Sequence, residues 1–123
     1  MSSLKRDLLG LRRAAEVALR SELRVRVGCV NDHFTYGWNR KHSHPKLVEW
    51  GYPEHSDIHS EMDLAIQGEH TIYGRTIYVA RITRDGEWAL ARPCAACMGM
   101  LAYLEARRVI WTVAPGQMGM LKL

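Results

Sequence analysis

The chain is 123 residues long, and it has few cysteines and no long apolar run. Its three cysteines, Cys29, Cys94 and Cys97, are an odd set with one Cys-x-x-Cys pair, which argues against the disulfide framework of a small secreted domain. No apolar run approaches the roughly 20 residues that a membrane-spanning helix needs. The first residues lead into no apolar signal core, and acidic side chains interrupt the early arginines, unlike a transit peptide. These absences predict a cytoplasmic protein that does not enter a membrane.

The composition that remains is typical of one globular domain, residues 1–123. Hydrophobic residues make up 47% of the chain and charged residues 24%, and a chain of this length can bury a core without disulfides. No repeat, low-complexity segment or linker divides it. The net charge of +4 owes much to basic residues near the N-terminus. We expect these on a solvated helix face; the alternative is a surface that attracts the phosphates of nucleotides or nucleic acid.

The spacing of apolar residues predicts elements in the order α-β-β-α-β-α-β. A short sheet covered by helices is the architecture expected from this order. Ser3 is expected to cap the first helix. The sequence also predicts a short return strand over 88–91 after an Asp-Gly turn. The predicted helices cover 3–22, 58–67 and 94–107, and the predicted strands cover 23–31, 33–38, 76–83 and 109–113.

Residues 39–57 form a polar, irregular stretch that runs directly into the motif described next. A structureless segment of this length is unusual in a compact domain and is often a lid or a binding loop. Trp50 and Tyr52 within it could stack against a base. The alternative is a surface loop without a role.

Two motifs carry the chemistry: the triplet His59-Ser60-Glu61, and the segment from Pro93 to Cys97. Together they offer one imidazole, two thiols and one carboxylate. His59 and Cys94 each begin a predicted helix, where free N–H groups and the helix dipole stabilise thiolates. Three protein ligands with one position left to water distinguish a catalytic zinc site from a closed structural one. We therefore expect His59, Cys94 and Cys97 to hold one catalytic zinc ion.

Other uses of these residues stay open at this point. A fourth ligand from His42, His44 or His55 would make the zinc site closed and structural. A redox Cys-x-x-Cys would be expected in a β-α-β context without other zinc ligands. Glu61 favours the catalytic interpretation, because a purely structural site needs no carboxylate beside it. Its predicted role is a proton shuttle.

With these motifs in this order, the chain resembles the cytidine and deoxycytidylate deaminase superfamily over nearly its whole length. The resemblance implies a three-layer α/β/α sandwich around a mixed sheet. It implies that His59, Cys94 and Cys97 are the zinc ligands and that Glu61 moves protons from the activated water to the ring nitrogen and the departing amine. The histidine ligand is shared with deoxycytidylate deaminases, whereas free cytidine deaminases normally use a cysteine there.

The resemblance also implies substrate contacts. The segment Gly37-Trp38-Asn39 is similar to a Gly-x-Asn that places an asparagine against the substrate, and the backbone beside Ser60 matches a position that contacts the base edge. We therefore predict hydrolytic deamination of a cytosine-containing nucleotide or nucleoside, of the deoxycytidylate type. Relatives are commonly oligomeric, so a homo-oligomer is expected, and the apolar C-terminal residues 118–123 could form its interface.

Three alternative functions remain at this point. The first is deamination of single-stranded DNA or RNA, for which the basic N-terminal region and Trp50 and Tyr52 are the support. The second is deamination of another amino-base such as guanine or adenine, since the motifs determine the leaving group and not the ring. The third is a non-catalytic binding module stabilised by zinc.

Overall fold

The structure is a computed structural model that describes residues 2–42, 44–53 and 57–123. Four α-helices and six strands follow one another along these residues, with a single 3₁₀ turn at Glu69–Thr71. In chain order they are α1 (Ser3–Ala18), β1 (Arg26–Asn31), β2 (Tyr36–Trp38), α2 (Pro45–Glu49), α3 (Ser60–Ile66), β3 (Thr76–Ile82), β4 (Trp88–Ala89), α4 (Ala95–Tyr103), β5 (Arg108–Ala114) and β6 (Gln117–Lys122).

The strands form one mixed sheet in the order β2-β1-β3-β5-β6, and the short β4 pairs with β3. Only β3 and β5 run parallel among the paired strands, with Val79 opposite Trp111. The other pairs are antiparallel, and β1 meets β3 with Cys29 opposite Val79. A parallel pair needs a crossover, and α4 supplies it between β3 and β5.

Alternate residues of the strands point to two separate apolar layers. On one face, Val30, Tyr78 and Ile110 pack with α1. On the other face, buried residues of β1, β3 and β5 pack with α3 and α4. The strand residues include Cys29, Val79 and Trp111, and the helix residues include Met62, Leu64, Cys97 and Leu101. The sheet therefore has helices on both faces. This is the α/β architecture with a central mixed sheet that was predicted, and that prediction is confirmed.

Two glycines let helices approach the sheet closely. A Cβ on Gly28 of β1 would lie 2.1 Å from the carbonyl oxygen of Ala14 in α1. A Cβ on Gly37 of β2 would lie 2.6 Å from the backbone nitrogen of Leu64 in α3. Since real Cβ contacts are never this short, α1 and α3 each rest against backbone at these points.

A buried polar cluster fastens α1 to the middle of the sheet. Asp7 accepts a hydrogen bond from the Tyr78 hydroxyl at 3.0 Å and pairs with Arg108 at 2.9 Å. The carboxylate is 6% exposed, so its charge is compensated by the arginine, as burial of a charge requires. Desolvation, together with the hydrogen bond to Asp7, raises the pKa of Tyr78 to about 12. The phenol therefore stays neutral and continues to donate to Asp7.

The first helix differs from its prediction at both ends. Ser2, and not Ser3, is the N-cap, and its hydroxyl accepts from the backbone N–H of Lys5 at 3.2 Å. The helix ends at Ala18 instead of continuing to residue 22. Beyond it, the Ser21 hydroxyl donates to the carbonyl of Asn39 at 2.8 Å and accepts from the N–H of Leu23 at 3.2 Å. These contacts compete with a further helical turn.

Several other elements also differ from the pattern. The prediction of an irregular stretch over 39–57 was wrong in its middle, because α2 begins at Pro45 with His44 as its N-cap. The C-terminal residues are a strand, β6, paired with β5 after a turn at Gly116, and were not recognised as one. The ends of three other elements are shifted. α4 ends at Tyr103 instead of residue 107, since Glu105 takes a positive φ and the N–H of Arg107 donates to the carbonyl of Arg75.

β1 and β2 begin three residues later than predicted, at Arg26 and Tyr36.

Candidate active site

The two motifs meet at the N-termini of two helices on the same face of the sheet. His59 is the N-cap of α3 and Cys94 is the N-cap of α4, as their positions in the sequence suggested. The Sγ of Cys94 accepts a hydrogen bond from the N–H of Cys97 at 3.4 Å. The sulfur caps the helix in the way that the hydroxyl oxygen of an N-cap serine does. Cys97 is buried one turn into α4. The fold thereby brings one imidazole and two sulfur atoms to one point.

The three donor atoms fit a tetrahedral metal ion. The Nδ1 of His59 lies 3.3 Å from the Sγ of Cys97 and 3.7 Å from the Sγ of Cys94. Zinc bonds of about 2.0–2.3 Å place neighbouring tetrahedral ligand atoms about 3.3–3.8 Å apart. All three atoms lie within 4.8 Å of one another, and no other histidine, cysteine or acid of the described residues joins the group. His59, Cys94 and Cys97 could therefore hold a metal ion.

The two thiols differ in pKa. Hydrogen bonding from the Cys97 thiol and then from its backbone N–H lowers the pKa of Cys94 to about 5. The same side-chain hydrogen bond, with burial, raises the pKa of Cys97 above its ordinary value. A metal ion binds cysteine as the thiolate, so binding at both sulfurs would release protons.

Tyr52 supports this group from outside it. Its hydroxyl donates to the Sγ of Cys97 at 3.0 Å, and its ring meets the His59 ring edge-on with centroids 6.0 Å apart. The side chain is only 5% exposed, so it cannot stack against a base as the sequence suggested. No sequence signal identifies this contact, because 45 residues separate Tyr52 from Cys97.

Glu61 is buried beside the metal-ligand group without belonging to it. It is 4% exposed, and burial raises the pKa of its carboxyl group above the ordinary value. The Ser60 hydroxyl donates to its Oε1 at 2.6 Å, which lowers that pKa in part and holds the carboxylate in place. A carboxyl group whose pKa is raised is better able to hold and return a proton than an exposed glutamate.

Asp63, one turn into the same helix, was not recognised from the sequence. It is buried, accepts from the N–H of Trp38 at 3.0 Å and accepts from Nε of Arg40 at 3.0 Å. These bonds tie the edge strand β2 to α3, two residues beyond Glu61. Asp63 therefore holds the end of β2 against the helix that carries His59 and Glu61.

A cavity of about 280 Å³ opens beside the metal-ligand group. Its size is close to the lower limit of pockets for small molecules, about 300 Å³. Its lining comes from β1 and β3 and the residues next to β1 and β2, from the starts of α3 and α4, and from the segment before Cys94. Its lining residues are Val25, Val27, Asn39, His59, Ser60, Glu61, Arg81, Leu90, Ala91, Arg92 and Cys94.

The two residues predicted to contact substrate both line this cavity. The side chain of Asn39 is engaged with β1: its Oδ1 accepts from the N–H of Val27 at 2.9 Å, and its Nδ2 donates to the carbonyl of Val25 at 2.6 Å. Ser60 is fully buried, and its hydroxyl is engaged with Glu61. Asn39 thus shapes the wall, and its role toward a substrate stays a prediction.

The histidines considered as a fourth ligand have different positions. His44 caps α2, where its Nδ1 accepts from the N–H of Lys46 at 3.1 Å. Neither His42 nor His44 belongs to the metal-ligand group formed within the described residues. His55 lies outside the described residues. The part of the chain that the structure describes therefore supplies three ligands, as an open site requires.

Comparison with known proteins gives similarity in structure only. No protein-family model matches the chain, and no curated protein matches it in sequence. A cytidine deaminase from Burkholderia pseudomallei has a TM-score of 0.66 at 16% identity, covering 99% of this chain and 93% of that one. A mutant cytidine deaminase from Mycobacterium tuberculosis has a TM-score of 0.52 at 15% identity, covering 88% of each chain. Over nearly its whole length, the chain has the cytidine deaminase fold.

Proposed function

We propose that this chain is a single-domain, zinc-dependent deaminase that hydrolyses a cytosine-containing nucleoside or nucleotide, of the deoxycytidylate type, to the uracil form and ammonia. The observation that carries the proposal is a buried carboxylate, Glu61, that lines the same cavity as His59 and Cys94, two of the three side chains that could hold a metal ion, and lies outside their group. A closed structural site would have a fourth protein ligand and no need of such a carboxylate.

Zinc is the metal proposed, because one imidazole and two thiolates are a ligand set that it favours, and when bound it supplies the Lewis acidity that makes water nucleophilic at neutral pH. Glu61 takes the proton that the attacking water loses and passes it to N3 of the cytosine ring. After the hydroxide has added at C4, Glu61 takes the remaining proton from the new C4 hydroxyl and delivers it to the amino group. The C4–N bond then breaks, ammonia leaves and the C4 carbonyl forms. The overall change is one water consumed and one ammonia released.

Ser60 and Asn39 are the residues that we propose for substrate orientation. Ser60 holds the Oε1 of Glu61, so that the carboxylate faces the base in a fixed position. Asn39 forms the cavity wall beside β1 and is proposed to contact the sugar or base. A purine base such as guanine or adenine is the alternative ring, and only a substrate panel separates the two.

The test is ammonia release by the zinc-loaded protein from cytosine, cytidine, deoxycytidine, their phosphates, purine bases and single strands. We expect release from at least one cytosine compound. In Glu61→Gln, which keeps the size of the side chain, the rate should fall at least about 100-fold, since removing a general acid–base group typically costs 10²–10⁴-fold.

Zinc content and folding are the controls for this experiment. Glu61→Gln should keep one zinc per chain and a normal thermal unfolding curve. A wild-type protein that carries stoichiometric zinc and releases no ammonia from any compound of the panel would contradict the proposal and favour a non-catalytic zinc-stabilised module. If ammonia is released from purine bases alone, the substrate ring is a purine, and the proposed hydrolytic deamination is otherwise unchanged.

Deamination of a nucleic-acid strand has lost part of its support. Tyr52 is buried against the metal ligands, and Trp50 packs partly buried against the core beneath α3 and α4. The Tyr52 ring is therefore not free to stack an extruded base, whereas Trp50 is partly exposed. A free nucleoside or nucleotide is therefore the substrate proposed.

The cellular setting is also proposed. No helix of the described residues is long and apolar enough to cross a membrane. The cytoplasm is proposed as the location, because its reducing conditions would keep Cys94 and Cys97 free to bind metal. The expected homo-oligomer is likewise a proposal.

A further inference from the structure

We propose that Arg81 and Arg92 form an anion-binding subsite at the mouth of the cavity, and that this subsite holds the phosphate monoester of a nucleotide substrate. This inference rests on the proposed function, since it places the base at the metal-ligand group. It adds the residues that make the enzyme prefer a nucleotide to a nucleoside.

Arg81 reaches the cavity from the sheet. Ile77 and Val79 of β3 are buried on the sheet face that packs with α3 and α4, and Arg81 follows them with the same two-residue period. Its backbone is held by a hydrogen bond from its N–H to the Thr112 hydroxyl at 3.1 Å. The side chain is half-buried and lines the cavity. A cation is thus placed on a face of the sheet that is otherwise apolar.

Arg92 reaches the cavity from the segment that leads into α4. Its guanidinium lies over the ring of Trp111, 5.2 Å from the ring centroid. Stacking holds the guanidinium plane and leaves its N–H groups free to donate within that plane. Arg92 is exposed although it lines the cavity, so it lies at the mouth and not at the buried end.

Neither guanidinium forms an ion pair with an acid among residues 2–42, 44–53 and 57–123. Among the described residues, the one acid that lines the cavity is Glu61, which is buried. A half-buried arginine without a carboxylate is costly unless an anion compensates it. The half-buried Arg81 and the exposed Arg92, which line one small cavity and pair with no acid of the described residues, indicate that the anion comes with the ligand.

The positions of the amino group and the sugar on the cytosine ring place a substrate phosphate near Arg81 and Arg92. The amino group at C4 must face the buried end, where Glu61 and the metal ligands lie. N1, which carries the sugar, is across the ring from C4 and therefore points toward the mouth. A phosphate on the sugar would then meet Arg81 and Arg92, and guanidinium groups bind phosphate through paired N–H donors.

The test compares nucleotide with nucleoside in Arg81→Gln and Arg92→Gln, with Arg84→Gln as the matched control. Arg84 is an exposed arginine just beyond β3 that does not line the cavity. For deoxycytidine monophosphate, kcat/KM should fall about 10- to 100-fold in each cavity variant, mainly through KM, as loss of a charge-assisted contact predicts. For deoxycytidine it should change less than about threefold. The control should leave both values unchanged.

Two further measurements test whether the arginines bind the phosphate of the nucleotide itself, one without catalysis and one with free inorganic phosphate. Deoxyuridine monophosphate should stabilise the wild type in thermal unfolding more than deoxyuridine does, and this difference should shrink in Arg81→Gln and at high salt, without any need for catalysis. Inorganic phosphate added with deoxycytidine should not reproduce the nucleotide's advantage. If both variants lose activity equally on nucleotide and nucleoside, or lose zinc, the arginines serve the metal site and the proposal is overturned.

If no cytosine compound is deaminated, the proposed function fails, and the unfolding arm still decides whether the arginines bind a nucleotide phosphate. If the wild type prefers the nucleoside, the reaction stands and the anion subsite is wrong. The two failures are therefore distinguishable.

Discussion

At the scale of single residues, Tyr52 supports the candidate metal-ligand group through its hydroxyl, which donates to the Sγ of Cys97. His59, Cys94 and Cys97 could be named from spacing alone, because each has a side chain suited to few other purposes. Tyr52 could not, since a tyrosine in a polar segment has no signature and its partner Cys97 is distant in the chain. Second-layer groups of this kind orient ligands and set the affinity for the metal.

We predict that Tyr52→Phe weakens zinc binding about 10- to 100-fold, the usual effect of losing a partner of a metal ligand. The change removes only the hydroxyl that donates to Cys97 and keeps the ring against His59. Competition with a chromogenic chelator measures the affinity without reference to activity. Tyr103→Phe is the control, because Tyr103 is 77% exposed. Equal affinities in the two variants would show that the hydroxyl does not stabilise the bound metal.

At the scale of elements, periodicity located the long helices and strands, and contacts decided where they end. α1 stops at Ala18 because Ser21 is bonded to Asn39, which follows β2 and is 18 residues away in sequence. α2 and β6 were missed for different reasons. α2 is only five residues long, too short for a helical period to show. β6 does not alternate between apolar and polar residues, and four of its six residues are exposed, so its pairing with β5 is needed to define it.

Gly28→Ala should destabilise the fold by about 1–3 kcal/mol, because the added methyl group has no room against the backbone of α1. Gly99→Ala is the matched control: it is the same substitution in the interior of α4, with nothing within 4 Å of the new Cβ. That control should stabilise the protein by about 0.5–1 kcal/mol, since alanine favours helix over glycine. Urea unfolding monitored by circular dichroism measures both. Equal effects of the two changes would contradict the close packing of α1 on β1.

At the scale of the whole molecule, the C-terminal strand β6 is the element most suited to contact another chain. The sequence pointed to residues 118–123 as a possible subunit interface and did not predict that they form a strand. β6 is the last strand of the sheet and pairs only with β5 in the described chain. Met120 is 58% exposed, Leu121 37% and Leu123 42%. An exposed apolar edge strand invites association with another chain.

We expect a homo-oligomer that buries β6, and Met120→Glu should shift it toward monomer. The new carboxylate has Arg108 beside it, whose guanidinium contacts the Met120 sulfur at 3.5 Å, so the fold should tolerate the change. Sedimentation at micromolar concentration measures the mass, and circular dichroism confirms folding. A wild-type protein that sediments as a monomer at all concentrations contradicts the expectation.

The sequence by itself determined which side chains are available for metal-dependent chemistry. His59, Glu61, Cys94 and Cys97 are rare side chains in a fixed order, and the resemblance that they carry gave the mixed-sheet sandwich and the deaminase fold. The tertiary structure decided what surrounds them: that Glu61 is buried and separate from the ligands, that Tyr52 serves a thiol and not a base, and that Arg81 and Arg92 lie on one cavity. The reason is physical. Whether a residue is able to bind a metal depends on its own side chain, which can be read from the sequence. Its burial and the charges around it depend on neighbouring residues that only folding brings together.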